Sequence, residues 1–169
     1  MNEDHIKRSL LEIDGSCRDI NLSEHISTAG AVSLLDVICA RWTLMWATDT
    51  EGVAVQPEDI QALLAKGTGT LSTLWNGLGS PSHFQAFFHW TEADMVFVEL
   101  TFFPQDLDAQ QFTLADFLKM LESLVNAAQS QEYYVRFEDG AWRHADGSAG
   151  QSVIFSHEDM ALLAKSSDH

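Results

Sequence analysis

The chain has 169 residues, with 25 acidic side chains against 9 basic ones and a formal net charge of −16. That length can bury a core without metals or disulfides, and 46% apolar against 20% charged residues excludes a disordered chain. So large an acidic excess repels a phosphate backbone, which excludes nucleic acid as an expected partner and favours a basic protein.

Two cysteines, Cys17 and Cys39, are too few for a disulfide framework, and each reads as a small buried apolar residue. The first residues are acidic and run into Lys7 and Arg8 without the apolar stretch of a signal peptide. The longest apolar runs, such as residues 95–98, are too short to span a membrane. A soluble, cytoplasmic protein is expected. No Pro- or Ser-rich linker and no internal repeat divides the chain, so residues 1–169 are expected to form one domain.

In chain order, residues 6–13 fit either a helix or a strand. Residues 18–22 alternate Arg18, Ile20 and Leu22 against Asp19 and Asn21, the pattern of a half-buried strand. Residues 27–42 read as a helix, because Ala31, Leu34, Leu35, Ile38 and Trp42 fall on one stripe. A strand at 43–47 and a short partner at 53–55 follow around the turn at 49–52. Pro57 with Glu58 and Asp59 opens a second helix whose stripe is Ile60, Leu63 and Leu64, and Lys66-Gly67 is expected to close it with a left-handed cap.

Residues 83–90 and 95–103 read as paired strands joined by a loop at 92–94. Phe84, Ala86, Phe88 and Trp90 then share a core face with Val96, Val98, Leu100 and Phe102. The opposite face carries His83, Gln85, Phe87 and His89 across from Phe103, Thr101, Glu99 and Phe97. Three phenylalanines on that face are too many for open solvent, so a helix or a partner is expected to cover part of it. Residues 114–128 form the strongest helix, with Thr113 and Asp116 as a capping pair and a Phe112–Phe117 staple. A hairpin of 133–138 and 141–144 turning at Asp139-Gly140 comes next, pairing Phe137 with Trp142 and Arg136 with Arg143. A last strand at 152–155 leads into a short helix capped by Ser156 and Asp159. Helices interleave with hairpin-connected strands, so an α+β fold is expected, a single-layer, mainly antiparallel sheet with helices packed on it.

No catalytic constellation emerges, and the reading leans against an enzyme. His83 and His89 lie six residues apart, roughly 20 Å along a strand, too far to share a metal. No His-Glu-x-x-His, Cys-x-x-Cys or Gly-x-Ser-x-Gly spacing occurs, and Gly67-Thr68-Gly69-Thr70 follows a helix rather than a strand. No cofactor and no metal are therefore expected. Arg136 and Arg143 would repel one another across the hairpin, with Glu138 as the nearest acid to pair them.

The charge is unevenly placed. Between residues 42 and 117 ten acids face one base, Lys66, a net −9. With the aromatic outer strand face, this marks a surface for a basic protein, and the expected contact residues are Asp49, Glu51, Glu58, Asp59, Phe87, Phe97 and Glu99. The block from Tyr133-Tyr134-Val135-Arg136-Phe137-Glu138 through Trp142-Arg143 to Val153-Ile154-Phe155 resembles the ends of bacterial immunity proteins, the cognate inhibitors of secreted or contact-dependent toxins. The resemblance covers only that block and carries no functional residue over. It implies a one-to-one inhibitor that occludes the active site of a toxin. The alternative is a small-molecule binding protein or enzyme with a pocket between sheet and helices, built on His83, His89, Glu99 and Arg143. Homodimerisation through the aromatic face is a third reading.

Overall fold

The computed structural model describes residues 2–138 and 152–161. The first turn of α1 (Glu3–Leu11) is capped by Asn2, whose side chain accepts from the Asp4 amide at 2.9 Å, and Ile6 and Leu10 point inward. The helix thus resolves the ambiguity of residues 6–13. Strand β1 (Arg18–Leu22) comes next, and then α2 (Thr28–Arg41), with Ser27 Oγ accepting from Gly30 N at 2.9 Å. The expected stripe of α2, from Ala31 to Trp42, is buried throughout.

Strand β2 (Thr43–Asp49) continues almost directly from α2, and residue 54 bridges back to Thr48 as the short partner. A 3₁₀ turn at Pro57–Asp59 leads into the short α3 (Ile60–Leu64). The expected glycine cap is corrected here. Ala65 is the C-cap in right-handed geometry, and Gly67 does not have positive φ. The chain then enters a strand that the glycine pattern hides, β3 (Gly69–Asn76), alternating Leu71, Thr73 and Trp75 inward.

Strands β4 (His83–Glu92) and β5 (Met95–Phe102) pair in the expected register, with Ala86 opposite Leu100, Phe88 opposite Val98 and Trp90 opposite Val96. The connection is tighter than the three-residue loop, because Glu92 pairs with Met95 across a bulge and Asp94 takes positive φ. After a 3₁₀ turn at Pro104–Asp106 comes α4 (Leu114–Ala127). Thr113 Oγ1 accepts from Asp116 N at 3.1 Å, and Phe112 meets Phe117 with ring centroids 5.9 Å apart.

Strand β6 (Tyr133–Phe137) pairs with β1 on one side and with β7 (Val153–Ser156) on the other. The expected hairpin partner at 141–144, with Trp142 and Arg143, lies outside the described residues. Ser156 N donates to Asp159 Oδ2 at 2.8 Å, as the last capping pair predicts.

The strands form one antiparallel sheet in the order β2-β3-β4-β5-β1-β6-β7, with helices on one face, so the fold is α+β. On the helix face, Met120 and Leu124 of α4 pack against Ile20, Phe84, Leu100 and Phe102. Helices α2 and α4 cross at Gly30, where an added Cβ would run into the Ala128 carbonyl oxygen. Trp42 locks the end of α2 to the sheet, with its ring edge-on to Phe84 at 4.8 Å and its Nε1 donating to the Pro81 carbonyl at 2.9 Å.

Strand β1 departs from the half-buried expectation, because every one of its residues is buried. Its place between β5 and β6 is the reason: both edges are paired, and both faces are covered. Arg18 lies on the helix face without solvent exposure. Its Nε donates to the Ser9 carbonyl at 2.8 Å, Nη2 to the Glu12 carbonyl at 2.9 Å and Nη1 to Ser16 Oγ at 2.8 Å, while the guanidinium carbon lies over the Phe137 ring, 4.7 Å from its centroid. This guanidinium ties α1 and the loop after it to the sheet.

Candidate protein-binding face

The sheet face turned away from the helices can be read row by row across the strands. One row runs Trp46, Leu74, Gln85, Thr101, Asp19 and Arg136 from β2 to β6. The next runs Thr48, Ser72, Phe87, Glu99, Asn21 and Tyr134. A shorter third row holds Thr70, His89 and Phe97. Towards β2 the face is open: Phe87, Phe103 and Trp46 are 37%, 38% and 42% exposed, and Met45 beside them is 55% exposed. Towards β6 it closes, and Asp19, Asn21, Tyr134 and Arg136 are buried.

The buried end is a charge network. Arg136 Nη2 lies 3.1 Å from Asp19 Oδ2 and 2.8 Å from Glu99 Oε2, while its Nε donates to Asn21 Oδ1 at 2.8 Å. Asn21 Nδ2 donates to Glu99 Oε2 at 2.9 Å, and Thr101 Oγ1 donates to Asp19 Oδ1 at 2.7 Å. Glu138, the expected local partner of Arg136, offers its backbone carbonyl at 2.9 Å, and its carboxylate accepts from the Cys17 amide at 3.2 Å. One guanidinium therefore serves two carboxylates.

Burial raises the Asp19 carboxyl above the ordinary aspartate value, opposed by the Thr101 hydrogen bond, reinforced by Glu99 and opposed again by Arg136. A raised folded pKa means that the folded chain holds the proton more tightly. This contribution to stability is complete below the unfolded pKa and is lost as pH rises through the folded one. In Asp19→Asn the amide can donate to Thr101 Oγ1 while its oxygen stays on Arg136. We expect the stability of the variant relative to the native chain to increase as pH rises from 4 to 8 in urea titrations. A difference that stays flat with pH would contradict this assignment. Cys17, next to the network, has its thiol pushed up to about 12 by burial, then by Asp19 and Glu138, so it is no nucleophile at neutral pH. Cys39 is exposed on α2, contrary to the expectation of burial.

Of the seven residues expected to contact a partner, the fold brings three together. Phe87 sits directly across from Glu99, and Phe97 is two positions before Glu99 on the same strand face. Asp49 and Glu51 lie in the turn that ends β2, where Asp49 Oδ1 accepts from the Glu51 and Val53 amides at 2.9 Å each. Glu58 and Asp59 belong to the 3₁₀ turn before α3, on the helix side, where Pro57 and Ile60 border a cleft with Val32, Leu35 and Cys39. The reading from sequence missed Trp46, Leu74 and the network of Asp19, Asn21, Thr101 and Arg136. Alternation through Leu71, Thr73 and Trp75 was the available signal for β3. Nothing in the local pattern signals the network, because its members come from three separate segments.

Two clefts among the helices have volumes of about 360 and 330 Å³, and neither takes in His83, His89 or Glu99. His83 instead lies 3.4 Å from Asp106, and His89 stacks parallel to Phe87 at 6.4 Å. Among the described residues no group of His, Cys, Asp and Glu could hold a metal, and no helix is long and apolar enough to cross a membrane.

No protein-family model matches the chain, and no curated protein matches it in sequence. The chain is similar to solved structures. One is a chain from the 1.75 Å crystal structure of the toxic C-terminal tip of CdiA from Pseudomonas aeruginosa in complex with an immune protein; it is 13% identical with a TM-score of 0.52, over 85% of this chain and 96% of that one. A second is the Pseudomonas aeruginosa T6SS protein PA0821, 15% identical with a TM-score of 0.45; the match takes in 72% of this chain and 40% of that one. The α+β architecture is thus one also found in a toxin–immunity complex.

Proposed function

We propose that this chain is a cytoplasmic, single-domain immunity-type protein that binds a basic toxin or enzyme and neutralises it. The observation that carries this reading is the open β4–β5 face, where Phe87 and Phe97 surround Glu99 within a stretch of net charge −9. Exposed aromatic side chains supply anchors that bury area at low entropic cost, and the surrounding acids speed encounter with a basic partner. The fold shared with a chain of the CdiA tip complex supports the same reading. The proposed contact set is Phe87, Phe97 and Glu99 at the centre with Asp49 and Glu51 at the rim; Glu58 and Asp59, on the helix side, contribute to long-range steering.

The test is growth rescue of cells expressing a basic toxin domain, chosen from any effector whose gene adjoins this one, followed by binding kinetics. Native protein should restore growth. Asp49→Lys combined with Glu51→Lys should slow association about tenfold at low salt and reduce its salt dependence. Phe87→Ala should speed dissociation, costing ~2 kcal/mol. A chain that neither binds nor protects would rule out the inhibitor reading, and a dimer formed through Phe87 would replace it with self-association.

A further inference from the structure

Within the charge network the two oxygens of Glu99 are treated differently. Oε2 accepts from both Asn21 Nδ2 and Arg136 Nη2, whereas no hydrogen bond to Oε1 forms among the described residues. The Glu99 side chain is 26% exposed, so a carboxylate held through Oε2 is still partly open to solvent. Among the described residues, Asp19 and Glu99 together carry two negative charges against the single charge of Arg136. A carboxylate already immobilised by two donors loses little side-chain entropy when it accepts a third. Phe87, directly opposite, and Phe97, on the same strand, supply apolar faces beside it.

We propose, resting on the inhibitor reading above, that Glu99 is the recognition point for one arginine side chain of the basic partner. The guanidinium would donate to Oε1 and lie against Phe87. Arginine fits better than lysine because its planar, weakly hydrated head can stack on an aromatic ring while it hydrogen-bonds a carboxylate. Its charge balances the excess that Asp19 and Glu99 leave uncompensated. Arg136 then acts as a positioning residue, setting the orientation of Glu99 without touching the ligand.

The test uses the full chain, ¹⁵N-labelled, titrated with the capped tripeptide Leu-Arg-Leu and with the same peptide carrying citrulline, which has nearly the same shape without the charge. The arginine peptide should give saturable amide shifts centred on Phe87, Phe97 and Glu99, and the citrulline peptide should not. Glu99→Gln retains an acceptor for Asn21 and Arg136, and it should weaken the arginine peptide about tenfold. Equal shifts with citrulline, no saturable binding, or affinity unchanged in Glu99→Gln would each overturn the assignment. If the variant fails to fold, the citrulline comparison on the native chain still decides. A toxin that binds the native chain and Glu99→Gln equally would overturn the arginine site and leave the inhibitor reading standing. A chain that binds the arginine peptide at Glu99 but protects against no basic effector would sink the inhibitor reading alone.

Discussion

Arg136→Ala is expected to cost about 3–5 kcal/mol of folding stability, the range for removing one member of a buried ion pair. Urea titration should show this as a lower midpoint with little change in slope. The magnitude comes from the charges that the deletion leaves behind. Arg136 is 7% exposed and holds Asp19, Glu99 and Asn21 at once, and Asp19 is 4% exposed. Without the guanidinium, two carboxylates face each other with no cation between them. The loss should therefore shrink in acid, where Asp19 takes up a proton more readily than an ordinary aspartate. Replacing the whole network by neutral residues of similar shape, in Asp19→Asn/Glu99→Gln/Arg136→Met, should recover most of the stability. A loss below ~1 kcal/mol for the single variant would mean that water reaches the network freely.

Trp75→Ala is expected to destabilise by a similar ~3–5 kcal/mol, for a different reason. Trp75 is 1% exposed and lies nearly parallel to Phe84 at 6.4 Å on the helix face of the sheet. Its removal opens a cavity between β3 and the end of α2. It also takes the Nε1 donor, 2.6 Å away, from Thr73 Oγ1, which in turn donates to the Ala86 carbonyl. Trp75→Phe should cost less, since most of the volume stays and only the donor goes. Thermal and urea unfolding of both variants separates the two contributions. Equal losses would assign the effect to the hydrogen bond, and a negligible loss for Trp75→Ala would place Trp75 outside the cooperative core.

The two variants mark different depths of legibility. Trp75 belongs to a strand whose alternation of Leu71, Thr73 and Trp75 is visible, but the Gly67–Gly69 pair before it suggests a helix cap and masks the strand. Gly69 owes its place to packing instead, because an added Cβ there would collide with the Trp90 ring. The β4–β5 register was legible, because alternation puts Phe88 and Val98 on one face and the short connection between the strands selects which residues meet. The helices at 28–41 and 114–127 were legible from a single apolar stripe each, the second also from its Thr113 cap. Arg136 was legible only as a cation near Glu138.

By itself, then, the amino-acid order determined the period of most elements, the Thr113 and Ser156 caps, and which residues of a strand share a face. Those are set by neighbours a few positions apart, through backbone geometry and the burial of apolar side chains. The same local rules placed Phe87, Phe97 and Glu99 on one face. Tertiary structure alone decided the rest. Inserting β1 between β5 and β6 brings Asn21 to Glu99 and Arg136, 78 and 115 residues away, and turns a strand with a half-exposed pattern into a buried one. Strand order is a property of the whole sheet and depends on which edges are left to pair. No local period encodes it, and it is this order that pins one oxygen of Glu99, directly across from Phe87.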